Sequence, residues 1–286
     1  MAHQSLRYVI CDVFARRPLE GNLLAVFTNA TGISDELMQR LARQLNLSET
    51  TFVLPAETKG NHARVRIFTP RGELPFAGHP TLGTAAVIGG VMEAVEVRLE
   101  LGVGLVRVGL DREGARVTGG AFATEPPEVL DFAHEAALLE ALGVADAAGP
   151  VGAYRNGPTH VVVPVPSREV VANLRPDLRA VEALVSGCVS VAALDDEGIK
   201  TRVFAPSEGI AEDPATGSAA GPVALHFHRL GRLPLDREVR IEQGAEIGRP
   251  SEIFARLGAE DGALARVEVA GNVHVVARGE FRIPRT

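Results

Sequence analysis

Cysteine is almost absent from this chain. Cys11 and Cys188 are the only two, each sits in an apolar stretch, and neither belongs to a CxxC or Cys/His spacing. A disulfide framework, a zinc site or a thiol redox pair therefore lacks its ligands, and a reducing cytoplasm is the expected setting. Excess positive charge is also missing: 29 Lys and Arg face 36 Asp and Glu, for a formal net charge of -7. Without a cationic surface to displace counterions from phosphate, nucleic acid is not an expected partner. Met1 to Arg7 contain no basic segment followed by an apolar run, so no secretory leader is expected. The longest uncharged stretch, Leu74 to Met92, carries Pro75, Pro80 and several glycines, which suit a buried helix better than a lipid-facing one, and no membrane partner is expected. Walker loops, GxGxxG after a strand, HExxH and GxSxG are all lacking, so neither a cofactor nor a metal is expected.

What is present is ordinary globular material: 286 residues, 46% hydrophobic and 23% charged. That length favours two domains of ordinary size, each with its own core. Tyr8 to Phe14 and Leu23 to Phe27 are short β-type runs separated by Pro18 and Gly21, as paired strands are. Ser34 opens a helix whose Leu37, Leu41 and Leu45 form one apolar stripe ending near Asn46. Thr50 to Pro55 and Ala63 to Thr69 read as strands. From Pro80 to Ile88 small and apolar residues run without a polar face, which describes a helix buried on every side. Strands follow over Val95 to Leu101, Val103 to Leu110 and Arg116 to Gly119, and helical patterning resumes over Ala133 to Leu142.

The second half repeats the first. Pro80, Gly83, Ala85 and Ala86 recur 134 positions later as Pro214, Gly217, Ala219 and Ala220, which places His79 opposite Asp213. Phe68-Thr69-Pro70 recurs as Phe204-Ala205-Pro206, and Thr159 to Val165 resembles the opening strand of the first half. The same elements in the same order predict a duplicated α/β domain and a pair of lobes. The join falls between Ala123 and Val129, where Glu125-Pro126-Pro127-Glu128 interrupts the strands.

Two segments have the makings of helix starts: Gly78-His79-Pro80-Thr81 and Glu212-Asp213-Pro214-Ala215-Thr216-Gly217-Ser218. Asp213 suits an N-cap, Pro214 and Pro80 suit the first helical position, and the amides of such a turn attract a carboxylate. Two such starts facing one cleft could hold a small acidic molecule. Asp213 equally suits a plain cap, and His79 a structural histidine. Glu49 stands at the entrance to a strand between Leu45-Asn46-Leu47-Ser48 and the apolar Thr51 to Leu54. It is either an exposed loop glutamate or a partly desolvated carboxylate able to act as base and then acid. His226 and His228 are two apart on a helix and point away from each other, which speaks against a metal site.

Gly21-Asn22 before Leu23 to Val26, Leu47-Ser48-Glu49-Thr50, Phe76 to Thr81, Glu212 to Ala219, and Gln243-Gly244 with Gly248-Arg249-Pro250-Ser251 together resemble the PhzF-like (phenazine biosynthesis-like) family, from about Tyr8 to Phe281. The resemblance implies an α+β fold like that of diaminopimelate epimerase: two pseudo-symmetric lobes, each a barrel-like sheet around a central helix, with the active site between them. It implies that the C-terminal strand, about His274 to Ile283, returns to the first lobe, giving lobes of residues 1–124 completed by 273–286, and 125–272. It also implies that Glu49 is the catalytic acid/base and that His79, Asp213 and Ser218 line the substrate pocket and assist proton relay. Gly78 and Gly217 lend close backbone approach, and homodimers are common. Related epimerases carry a cysteine at each helix start; neither Cys11 nor Cys188 occupies one, which excludes a two-thiol mechanism.

The expectation is thus a cofactor-free isomerase acting on a small carboxylate-bearing substrate, with Glu49, His79 and Asp213 catalytic and Gly78, His79, Gly217 and Ser218 binding the substrate. Two alternatives stay open: a racemase or epimerase using Glu49 and Asp213 as opposed bases, and a non-catalytic carboxylate-binding protein.

Overall fold

The computed structural model describes residues 3–284. The chain divides into two units, Met1–Phe122 with Gly271–Thr286, and Ala123–Ala270. The first contains β1 (His3–Val13), β2 (Asn22–Phe27), α1 (Asp35–Leu45), β3 (Glu49–Leu54), β4 (Ala63–Phe68), β5 (Glu73–Leu74), α2 (Gly78–Met92), β6 (Glu96–Leu101), β7 (Gly104–Glu113) and β8 (Arg116–Thr124). The second contains β9 (Glu128–Leu130), α3 (Glu135–Leu142), β10 (Gly152–Arg155), β11 (Thr159–Pro164), α4 (Arg168–Ala172), α5 (Leu178–Leu184), β12 (Cys188–Asp195), β13 (Gly198–Ala205), β14 (Ile210–Asp213), α6 (Gly217–Arg229), β15 (Glu238–Gln243) and β16 (Ser251–Glu260). The last strand, β17 (Ala263–Pro284), serves both: it pairs antiparallel with β16 through Ala263 to Ala270, then with β1 through Val273 to Pro284.

In the first unit the pairings run β17-β1-β2-β3-β4-β6-β7-β8 and return to β17, so the sheet closes into a barrel. Closure leaves no edge among those strands. The barrel encloses α2, and composition explains how a helix fits there. The first ten residues of α2 are buried throughout, and a Cβ on Gly83 would lie 2.7 Å from side-chain carbons of both Leu24 and Val13. Helix and wall touch because that atom is missing. Outside the barrel, α1 covers a cluster of Phe27, Met38, Leu41, Phe52 and Phe68, in which Phe27 and Phe52 stack with ring centroids 4.8 Å apart. Ser34 caps α1, its Oγ accepting from the Leu37 amide, and Asn46 ends it in the left-handed conformation. Both ends stand where the sequence puts them.

The second unit repeats the connectivity. The steps β1-β2, β2-β3, β3-β4, β4-β5, β4-β6, β6-β7 and β7-β8 match β10-β11, β11-β12, β12-β13, β13-β14, β13-β15, β15-β16 and β16-β17 in order and in direction; within the first set only β2-β3 and β4-β6 are parallel. The outer core of this unit gathers Leu138, Leu142, Val161, Val163, Val171, Val181, Val189 and Phe204 beneath α3, α4 and α5.

The register of the repeat needs three corrections. Ile67 pairs with Leu74 as Val203 pairs with Asp213, so the counterpart of Asp213 in the repeat is Leu74, not His79. Helix starts Gly78 and Gly217 correspond, 139 residues apart instead of 134, and His79 matches Ser218. The glycines that follow β6 and β15 confirm this: a Cβ on Gly102 would strike Pro75, and one on Gly244 would strike Pro214. The connection is longer in the second unit: nine residues separate Val203 from its partner Asp213, against six between Ile67 and Leu74, and Ala211 and Glu212 stand opposite the single residue Phe204. Thr159 to Val165 corresponds to β2, the second strand, not to the opening one. Among the described residues no helix is long and apolar enough to cross a membrane.

Candidate active site

In the first unit three chain segments converge. Glu49 is the first residue of β3, held beside Leu24 of β2 by parallel pairing. Asn22 is the first residue of β2 and follows Gly21. His79 lies in the first turn of α2, which is tied to β3 by a buried hydrogen bond between the hydroxyls of Thr84 and Thr51, 2.8 Å apart. The outcome is a contact of 3.4 Å between His79 Nε2 and Glu49 Oε2. On the other side of the ring, Nδ1 is 3.3 Å from Asn22 Nδ2.

Both members of that contact are buried, Glu49 8% exposed and His79 2%. Glu49 is therefore not an exposed loop glutamate. Burial drives the His79 imidazole down to about 3, against a hydrogen bond with the Leu23 backbone that favours the charged ring. At neutral pH the ring is uncharged, and the contact joins a neutral imidazole to a carboxyl group; it is not an ion pair.

In the second unit Asp213 ends β14, and it does not cap the helix. α6 begins at Gly217 with Thr216 as its N-cap, and Pro214 precedes the helix by two residues of loop. In α2, likewise, Ala77 is the N-cap and Pro80 occupies the third helical position. Asp213 is instead built into a buried cluster: Thr216 Oγ1 lies 2.5 Å from its Oδ2, and Gln243 at the end of β15 reaches both residues. Ser218 is held by its backbone, since Asn156 Nδ2 donates to its carbonyl over 2.8 Å. Glu212 points the other way and forms a paired hydrogen bond with the Arg202 guanidinium, which raises the guanidinium further above its ordinary value.

Glu49, Gly78 and His79 thus belong to one unit, where Glu49 and His79 touch, and Asp213, Gly217 and Ser218 belong to the other. The amides at the start of each central helix are flanked by these side chains. Asn22, Thr216 and Gln243 lie within the motif segments, but nothing in their spacing marks them as partners of His79 and Asp213. Positive φ at Gly21 and Gly244, the glycines adjoining Asn22 and Gln243, is the structural trace of both turns. His226 bonds Tyr154 and His228 bonds the Leu233 carbonyl. Among the described residues no group of three or more His, Cys, Asp or Glu could hold a metal ion.

The chain matches the family model described as phenazine biosynthesis-like protein over residues 11–279. It is 43% identical, over 95% of its length and 98% of the relative's, to the trans-2,3-dihydro-3-hydroxyanthranilate isomerase of Pseudomonas chlororaphis. A solved Pseudomonas aeruginosa structure, described as a predicted epimerase, superposes with a TM-score of 0.84 at 32% identity, covering 96% of this chain and 99% of that one. A probable proline racemase from Agrobacterium radiobacter shares the fold at 13% identity, with a TM-score of 0.69 over 96% of this chain and 92% of its own. The closed barrel around a buried helix, its topological repeat and these likenesses agree: the chain belongs to the phenazine biosynthesis-like family and is an isomerase with the diaminopimelate epimerase-like fold.

Proposed function

We propose that this isomerase needs no cofactor and moves a proton between carbons of a small carboxylate-bearing substrate, with Glu49 as the acid/base. The observation that carries the reading is the buried Glu49 carboxyl group 3.4 Å from the His79 ring. A carboxyl group screened from water and backed by an uncharged imidazole can take a proton from carbon and deliver it to another carbon. His79 and Asp213 assist the relay, while Gly78, Gly217 and Ser218 hold the substrate carboxylate at the helix amides. The name of the relative at 43% identity makes trans-2,3-dihydro-3-hydroxyanthranilate the first substrate to test. Family likeness adds the proposals of a homodimer and of a cytoplasmic location.

The test is turnover of that compound in deuterium oxide by wild type and by Glu49→Gln. Deuterium should enter the product at carbon with wild type. Glu49→Gln should lose on the order of a hundredfold or more in kcat, the usual contribution of a general acid/base, while still binding the compound in a calorimeter. An unchanged rate in Glu49→Gln would remove Glu49 from the reaction.

A further inference from the structure

We infer that Thr216 and Gln243 form a clamp that donates a hydrogen bond to Oδ2 of Asp213 and holds its carboxylate in place, and that they are positioning residues for the reaction; this rests on the proposed catalytic role of Asp213. Thr216 N, which can only donate, lies 3.1 Å from Gln243 Oε1. The Asp213 carbonyl, which can only accept, lies 2.7 Å from Gln243 Nε2. Backbone groups at both ends therefore fix the orientation of the Gln243 amide, with no appeal to the side chains.

The second Nε2 hydrogen then points at Thr216 Oγ1, 3.0 Å away. The same hydroxyl donates its own proton to Asp213 Oδ2 at 2.5 Å, an ionised carboxylate being able only to accept. A run of donors is thereby directed one way, from Gln243 through Thr216 to Asp213. It holds the carboxylate plane. Gln243, Thr216 and Asp213 are all buried, so water does not compete for these bonds. The backbone supports the same corner: Gly244 has φ +77°, and a Cβ there would lie 2.5 Å from the Pro214 carbonyl oxygen. The loop after β15 thus presses on the residue that follows Asp213.

The test compares Thr216→Val, Thr216→Ser and Gln243→Glu, the last keeping shape but losing both amide hydrogens. Two measurements are made on each full-length protein. One is kcat and KM with trans-2,3-dihydro-3-hydroxyanthranilate. The other is the infrared carboxylate band of Asp213 in protein labelled with carboxyl-13C aspartate, taken against the same protein carrying Asp213→Asn. The expected result is a shifted band and a fall of about tenfold or more in kcat for Thr216→Val and Gln243→Glu, the scale of one charge-assisted hydrogen bond. KM should stay within about twofold of wild type, as for an interaction acting on the chemical step and not on substrate affinity. Thr216→Ser should restore both band and rate. An unmoved band in Thr216→Val overturns the clamp whatever the kinetics. A moved band, with Thr216→Val and Asp213→Asn both turning over at the wild-type rate, leaves the clamp standing and instead removes Asp213 from the reaction.

Discussion

His79 and Glu49 meet at 3.4 Å in a setting where the imidazole is uncharged at neutral pH. The ring's other nitrogen faces Asn22. Asn22→Leu keeps approximate volume and removes the polar contact. It should lower kcat about tenfold with little change in thermal midpoint, as expected when a ring loses its orienting partner; steady-state kinetics beside a melting curve separates this from general damage.

Three buried histidines should make the protein sensitive to mild acid. Burial lowers His79 and His160 to about 3 and His226 to about 4, whereas in the unfolded chain they titrate near 6.5. Below that value the unfolded state takes up protons that the folded state refuses. Stability is therefore complete above about pH 6.5 and falls as pH drops toward 4, by about 1 kcal/mol per pH unit for each histidine. Urea midpoints between pH 7.5 and 4.5 should show the slope, and His160→Gln should flatten it by about a third.

The Thr51–Thr84 hydrogen bond ties β3 to α2 in a fully buried setting. Thr51→Val or Thr84→Val alone leaves one hydroxyl without its partner and should cost about 1–3 kcal/mol, while the double variant should cost less than the two singles together. Chemical denaturation of all four proteins completes the cycle. Strict additivity would mean that the bond is not formed.

Gly244→Ala and Gly248→Ala make a matched pair. Both positions have positive φ, but a Cβ at Gly248 meets nothing within 4 Å, whereas at Gly244 it would lie 2.3 Å from the Arg249 carbonyl oxygen. The first should cost about 1 kcal/mol more than the backbone strain shared by both, and it should be the one that also lowers turnover, since it displaces Pro214 beside Asp213. Melting temperatures and kcat read both effects.

Much of this was legible in order. Period-four leucines gave α1, and the absence of any polar face gave the enclosed α2, because solvent leaves its mark on every third or fourth residue of a helix that meets it. The duplication was visible for the same reason: identical strand steps demand similar runs. Asp213 was misplaced because Asp-Pro is a strong local signal for a helix start, yet that signal lost to pairing with Val203 on β13, which keeps the chain extended through Asp213. Gln243, which donates to the Asp213 backbone carbonyl, is 30 residues downstream, a distance over which spacing carries no information. Likewise the alignment of His79 with Asp213 follows Pro80 and Pro214, whereas the structural counterpart of Pro214 is Pro75, and spacing alone does not say which proline to match.

One strand belongs to both units, and this bears on how the chain matures during synthesis. Residues 3–122 leave the ribosome with every stave of their barrel except the last, and β17 is made only after the whole of the intervening unit. Until then β1 has no partner on its outer side and α2 lies in an unsealed wall, so the half translated first is the half finished last.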